Sequence, residues 1–182
     1  MNNPAFFGYG SLVNLATHTN ADPLPARLAG WRRVWITTGI RDAAFLSVEP
    51  DPSCVIDGIT AQVPGGDWAM LDLRETGYDR HPVTVMQGGT ARDVAIYQVS
   101  PEVRIRNRVK APILRSYLDV VVQGFWQVYG ETGVADLFAS TSGWRAIHDD
   151  RAAPAYPRHQ RLTAAQTALV DHYLQQMMQG NR

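Results

Sequence analysis

The chain is poor in cysteine. Cys54 is the only one among 182 residues. A lone cysteine cannot close an internal disulfide, so the framework of a small disulfide-stapled secreted domain is excluded. Cys54 lies in the apolar stretch Ser53-Cys54-Val55-Ile56 and reads as a core residue rather than a nucleophile. Excess charge of either sign is also lacking, since 17 Lys and Arg balance 17 Asp and Glu. A broad basic footprint for nucleic acid or an anionic membrane is therefore absent. The one local basic run, Arg104 to Lys110, reads as a solvated strand or loop ahead of a helix. No apolar run approaches the roughly 18 residues of a membrane helix. No positively charged segment followed by an apolar one opens the chain, so no signal peptide is expected. His81, His148, His159 and His172 show neither H-x-x-x-H nor H-E-x-x-H spacing, and no metal site is expected. The resulting expectation is a cytoplasmic protein with no nucleic-acid partner, no membrane partner and no cofactor.

What is present suits one domain of ordinary size, with 45% hydrophobic residues to build its core. The first two thirds read as strands broken by turns, and the last third as helices. Ala5-Phe6-Phe7 is a short buried strand that runs into Gly8 and Gly10. Residues 26–38 form a strand with a bulge expected at Gly30, and Val55 to Val63 another. Glycines inside strands suit a small, strongly curved sheet or barrel. A short helix is expected over 67–75, with Asp67 as N-cap and Gly77 as stop. Val83–Met86 and Val94–Tyr97 make a hairpin with a loop longer than the tightest type. From Pro112 the period becomes helical through Ile113, Tyr117, Val121, Phe125 and Val128, with Gly130 as stop. A second helix starts at Thr163-Ala164-Ala165-Gln166, which has the capping-box form. His148 to Pro157 reads as an ordered surface loop. Strands first and helices later give an α+β class.

The stretch Gly8-Tyr9-Gly10-Ser11-Leu12-Val13 follows the first strand directly. A dinucleotide fingerprint needs glycine where Val13 stands. A P-loop needs a Gly-Lys pair that is not there. A nucleophile elbow around Ser11 needs glycines where Tyr9 and Val13 stand. His18 is the nearest base in sequence, but nearness in sequence does not build a triad. Two readings remain: a bare tight turn, or a turn whose backbone N–H groups receive a carboxylate or carbonyl oxygen.

Tyr9-Gly10-Ser11-Leu12 after an apolar strand resembles the Y-G-S-[LN] motif that opens the γ-glutamylcyclotransferase-like family. Ala29-Gly30-Trp31-Arg32-Arg33 resembles its L-x-G-[YW]-[RK]-R segment, and Gly58-Ile59-Thr60-Ala61-Gln62-Val63 one of its strands. Leu71-Asp72-Leu73-Arg74-Glu75, followed by Tyr78-Asp79-Arg80, resembles its L-D-x-x-E…Y-x-R block, and Val83-Thr84-Val85 the strand after it. The likeness covers roughly residues 5–100; residues 104–182 match no catalytic motif. It implies a small mixed β-barrel core over 1–105, with flanking helices, and a mainly helical C-terminal extension over 106–182, all in one domain.

The resemblance also implies an activity. The α-amine of a γ-glutamyl amide attacks its own γ-carbonyl, releasing 5-oxoproline and an amine or amino acid. The nucleophile belongs to the substrate, so neither metal nor cofactor is needed. Glu75 is then the general acid/base, with its pKa raised by burial behind the helix. Tyr9, Gly10, Ser11 and Leu12 hold the substrate through the turn. Tyr78 lines the pocket, and Arg41 or Arg80 pairs with a substrate carboxylate. The partner is a small-molecule γ-glutamyl compound. Two other functions are kept beside this one: a non-catalytic small-ligand module on the same barrel, and γ-glutamyl or acyl transfer to another acceptor.

Overall fold

The computed structural model describes residues 3–106 and 110–180. The stretch 107–109 of the basic run lies outside them. Among the described residues, eight strands and three α-helices follow one another as β1 (Ala5–Gly8), β2 (Ala21–Thr37), β3 (Ala44–Gln62), α1 (Ala69–Arg74), β4 (Tyr78–Gln87), β5 (Thr90–Val99), β6 (Ile113–Leu114), α2 (Arg115–Ala139), β7 (Thr141–Ser142), β8 (Ile147–His148) and α3 (Ala164–Gly180). Two short 3₁₀ turns, Ser11–Val13 and Leu15–Thr17, lie between β1 and β2.

The sheet runs β3-β1-β5-β4-β2, and β2 pairs with β3 again, so five strands close into a barrel. The β1–β5 pair is parallel and the other pairs within the ring are antiparallel, which makes the barrel mixed. β7 adds itself to β2 in parallel.

Closure of so few strands requires strong curvature. The register between β2 and β3 shifts between Ala29 and Trp31, at Gly30, as the bulge expectation requires. Both strands are longer than their apolar runs suggested. β2 begins at Ala21 rather than Ala26, and β3 begins at Ala44 rather than Val55. The extra halves carry prolines and acidic residues that mask the alternation, yet Ala21, Leu24 and Pro25 of β2 and Ala44 to Pro50 of β3 pair along the barrel wall, with register shifts after Ala21 and Ala29. The β4–β5 loop is the tightest type after all: Gln87 pairs with Thr90 across Gly88 and Gly89. Both glycines have positive φ, which is what a two-residue turn matching the strand twist demands.

Phe6 and Phe7 point to opposite faces of β1, as strand geometry dictates. Phe7 enters the barrel core with Val13, Leu28, Val48, Ile56, Ile96 and several residues of α2. Phe6 packs outside the barrel with Leu12, Leu71 and Tyr97. The second cluster matters most for the site, because it pins α1 against the first 3₁₀ turn.

α1 starts two residues later than expected. Trp68 is its formal N-cap, but the Asp67 carboxylate still accepts from the Ala69 N–H at 3.1 Å. Gly130 does not end α2. It breaks the helix at φ 68 and ψ −164, and the helix resumes to Ala139. A glycine free to adopt that backbone makes a kink where the sequence suggested a stop. α2 sends Leu118, Val121, Val122, Phe125, Val134 and Leu137 into the barrel core. The capping box at α3 forms as read: Thr163 N donates to Gln166 Oε1 at 2.8 Å, and Gln166 N to Thr163 Oγ1 at 3.2 Å. Among the described residues no helix is long and apolar enough to cross a membrane.

Candidate active site

A cavity of about 590 Å³ opens beside the barrel end where β1 hands over to the first 3₁₀ turn. Its inner wall is Ser11, Arg74, Glu75, Tyr78 and Tyr117. Its outer part carries Ile40, Arg41, Phe45, Leu73, Tyr156 and Arg158. A much smaller lobe of about 30 Å³ continues inward past Glu75, bounded by Tyr9, Gly10, Ser11, Leu12, Leu46, Tyr78 and Tyr117. That lobe has about the room of one water molecule or one carbonyl oxygen.

Glu75 sits where the two spaces meet. It ends α1, its N–H bonding to Leu71 O at 2.9 Å, and it starts the turn into β4, its carbonyl accepting from Tyr78 N at 2.9 Å. Its side chain is only 15% exposed. Burial pushes the carboxyl above the ordinary glutamate range, while the Arg74 and Arg158 guanidiniums pull the other way without cancelling it.

Arg74 joins the two functional segments. Its Nε lies 3.2 Å from Glu75 Oε1. Its Nη1 donates to Thr17 O at 2.8 Å, and its Nη2 reaches Thr17 Oγ1 at 3.1 Å and Ser11 Oγ at 3.3 Å. One guanidinium thus ties the turn after β1 to the end of α1. The sequence placed Arg74 inside a motif without giving it this task.

Three tyrosines surround the carboxylate, Tyr9 buried and Tyr78 and Tyr117 partly buried. Tyr9 donates to Tyr97 O at 2.6 Å and Tyr78 to Leu46 O at 2.9 Å. Tyr117 packs edge-on to Trp35 and to Tyr156. Burial raises all three phenols above the usual tyrosine range, so they stay protonated. Tyr117 has the helical spacing of a core residue, and that is how its position reads in sequence. Only the fold brings it to Gly10, where a Cβ would stand 2.9 Å from the Tyr117 hydroxyl. Gly10 is therefore fixed by close approach.

The turn itself is held from below. Arg33, 1% exposed, donates from Nε to Tyr9 O at 2.8 Å and from Nη1 to Ser140 Oγ at 2.7 Å, and also bonds the Asp57 carbonyl. Its guanidinium lies over the Phe125 ring at 4.7 Å. Burial lowers its pKa to about 10, which leaves it charged at neutral pH. Asn14, fully buried, donates to Val120 O at 3.0 Å and Gln123 Oε1 at 2.8 Å, fastening the turn to α2.

His18 does not serve Ser11. Its Nε2 meets Leu12 O at 2.9 Å, and its Nδ1 accepts from Asn20 N at 3.2 Å. Both ring nitrogens are spent on backbone, and burial lowers the ring's pKa. A serine–histidine pair has no geometry here.

Of the residues singled out in sequence, Glu75, Tyr9, Gly10, Ser11, Leu12, Tyr78 and Arg41 all border these two connected spaces. Arg80 does not. It stacks over Trp68 at 4.1 Å and pairs with Asp72 at 3.3 Å, away from the cavity. The residues missed are Arg74, Tyr117, Tyr156 and Arg158. The last two come from the loop before α3, for which the sequence offered no matching motif.

No family model and no curated protein matches the chain. Solved structures do. One titled a gamma-glutamyl cyclotransferase has 14% identity and a TM-score of 0.62, over 94% of this chain and 99% of that one. An uncharacterised protein from Homo sapiens matches with 14% identity and a TM-score of 0.63, over the same shares. A yeast gamma-glutamyl cyclotransferase titled as specific to glutathione matches at 14% identity and a TM-score of 0.50, over 96% of this chain and 97% of that one. The closed five-stranded mixed barrel with its helices is therefore the γ-glutamylcyclotransferase-like fold.

Proposed function

We propose that the chain cyclises γ-glutamyl amides, releasing 5-oxoproline and an amine or amino acid, with Glu75 as general acid/base. The observation that carries this reading is the position of Glu75. A buried carboxyl of raised pKa stands between a turn that can receive one oxygen and a chamber large enough for the rest of a small amide. The neighbours named as γ-glutamyl cyclotransferases support the same chemistry.

The steps balance. The α-ammonium of the substrate passes a proton to Glu75, and the free amine attacks the γ-carbonyl carbon. The new C–N bond closes the five-membered ring, and the carbonyl oxygen becomes an oxyanion in the small lobe beside Gly10, Ser11 and Leu12. The intermediate collapses with cleavage of the original amide bond, and Glu75 returns a proton to the departing nitrogen. The α-nitrogen loses two protons in all and the leaving nitrogen gains two, so one carboxyl finishes as it began. Folding the substrate so that amine and carbonyl meet is a proximity effect.

The test is to incubate the purified protein with γ-glutamyl amino acids, γ-glutamyl amines and glutathione and to measure 5-oxoproline. Product is expected from at least one. Glu75→Gln should lower kcat by about 10²–10⁴, the usual worth of general acid–base catalysis. Product undiminished in that variant, or none from any substrate, overturns the assignment.

A further inference from the structure

Two arginines of the outer chamber bond no acceptor among the described residues. Arg74 is committed to Glu75, Ser11 and Thr17. The guanidiniums of Arg41 and Arg158, by contrast, form no hydrogen bond or ion pair among the described residues, although both line the chamber. Among the described residues the carboxylate lining it is Glu75, which Arg74 bonds and whose charge Arg158 also feels without bonding it. The chamber thus presents two guanidiniums with no directly bonded acceptor, Arg158 within electrostatic reach of Glu75, beside the apolar surfaces of Ile40, Phe45 and Leu73.

Arg158 is brought there by a built structure rather than by a loose end. The Asp150 carboxylate accepts from Ser116 N at 2.8 Å and from Ala155 N at 2.9 Å, and Tyr156 N donates to Ser116 Oγ at 3.2 Å. The Tyr156 ring meets Tyr117 edge-on at 4.9 Å. These contacts seat the segment against the start of α2 and set Pro157 and Arg158 at the cavity mouth.

We infer that Arg41 and Arg158 select a leaving group that carries a carboxylate, so that the substrate is a γ-glutamyl amino acid or peptide rather than a γ-glutamyl amine. The inference rests on the cyclisation reading above, in which the turn and Glu75 take the γ-glutamyl end. The departing half is then left to the outer chamber. A carboxylate there supplies the acceptor that both guanidiniums lack, through charge-assisted bonds that a neutral group cannot match. The apolar surfaces beside them accept an aliphatic side chain.

The experiment compares γ-glutamylalanine with γ-glutamylalaninamide, which differ only in replacing the leaving group's carboxylate by a neutral carboxamide. The readouts are kcat/KM from 5-oxoproline formation and Kd from calorimetry. The wild type should favour the carboxylate by about tenfold or more, the scale of charge-assisted hydrogen bonds. In the double variant Arg41→Ala/Arg158→Ala that ratio should fall to near one, with each single variant between. A wild-type ratio near one, or a ratio the double variant leaves unchanged, overturns the inference. If neither compound is cyclised, the activity reading falls, and the Kd ratio still decides the question: a preference lost in the double variant upholds carboxylate recognition, and no preference rejects it.

Discussion

Asp150 should hold both the stability of α2 and the shape of the cavity, and its removal gives a worked expectation. α2 has no acidic residue in its first turn, and its own N-cap, Leu114, offers no side-chain bond. Asp150, 34 residues beyond Ser116, supplies what is missing. Its Oδ1 accepts from Ser116 N at 2.8 Å, and its Oδ2 from Ser116 Oγ at 2.5 Å and Ala155 N at 2.9 Å, with only 6% of the residue exposed. Bonds to a charged group contribute about 1.5–3 kcal/mol each, and a negative charge at a helix N-terminus about 0.3–1. Water recovers part of this in Asp150→Ala, so a net loss of about 3 kcal/mol is expected. At about 2–4 °C per kcal/mol for a domain of this size, Tm falls by roughly 6–12 °C. The pH dependence follows from the same contacts. Burial alone would raise the carboxyl's pKa, but the bonds from Ser116 and Ala155 outweigh it and hold the group below the usual range. A group depressed in the folded state stabilises above its unfolded pKa, about 3.9, and loses that contribution as the pH falls through the folded one. The gap between wild type and variant should be constant from neutral pH to about pH 5 and should close below about pH 4. Thermal unfolding followed by circular dichroism at several pH values reads this directly. A shift under about 2 °C at neutral pH, smaller than one kcal/mol would give, or a gap that does not close in acid, refutes the reasoning.

Two further outcomes follow. Glu75→Gln should unfold at a higher temperature than the wild type at pH 7.5, because a carboxyl whose pKa is raised by burial stabilises only below its unfolded value and costs stability as pH rises through the folded one; the difference should vanish near pH 4, and equal or lower stability at pH 7.5 would contradict this account of the site. Gly124→Ala should destabilise by about 1–3 kcal/mol through overpacking, since its Cβ would stand 2.6–2.8 Å from the Asn14 backbone and side chain; because Asn14 anchors the turn, kcat/KM for 5-oxoproline formation should drop with it, and a variant as stable as the wild type would show that the contact yields.

Sequence reading reached most of the inner half of this site, but of the outer half only Arg41. Tyr9 to Leu12 and Glu75 were named through the family resemblance, whose motifs are short and local in the chain. Each lies within a few residues of the element that aims it, β1 in one case and α1 in the other. Arg158 had no such signal. Its place depends on Asp150 reaching the start of α2, and no periodicity encodes a bond between residues 116 and 150. Tyr117 was visible only as one step in a helical stripe, and burial alone does not say whether a tyrosine faces a core or a carboxylate. The fold shows the same division. The bulge at Gly30 and the capping box at Thr163 are local devices and were legible. The early halves of β2 and β3 were not, because their pairing comes from the partner strand across the barrel and not from their own alternation. Gly130 is the converse case. A residue that permits a left-handed backbone marks a kink as readily as an end, and only the contacts of Val134 and Leu137 with the core decide for the kink.

The shortest strand of the barrel ring has a consequence for how the protein comes to be. β1 is four residues long, and its two partners are residues 59–62 on one side and 95–96 on the other. Its neighbours are thus made long after it, and loop closure over such separations is slow compared with local pairing. Phe6 and Phe7 must wait for both. The turn assigned to the substrate oxygen under the proposed function is the direct continuation of this strand. A chain with the β4–β5 hairpin formed but β1 undocked would hold Glu75 on its helix with no turn beside it. Under the proposed function, the two parts of the site meet only where β1 docks and the ring of strands closes.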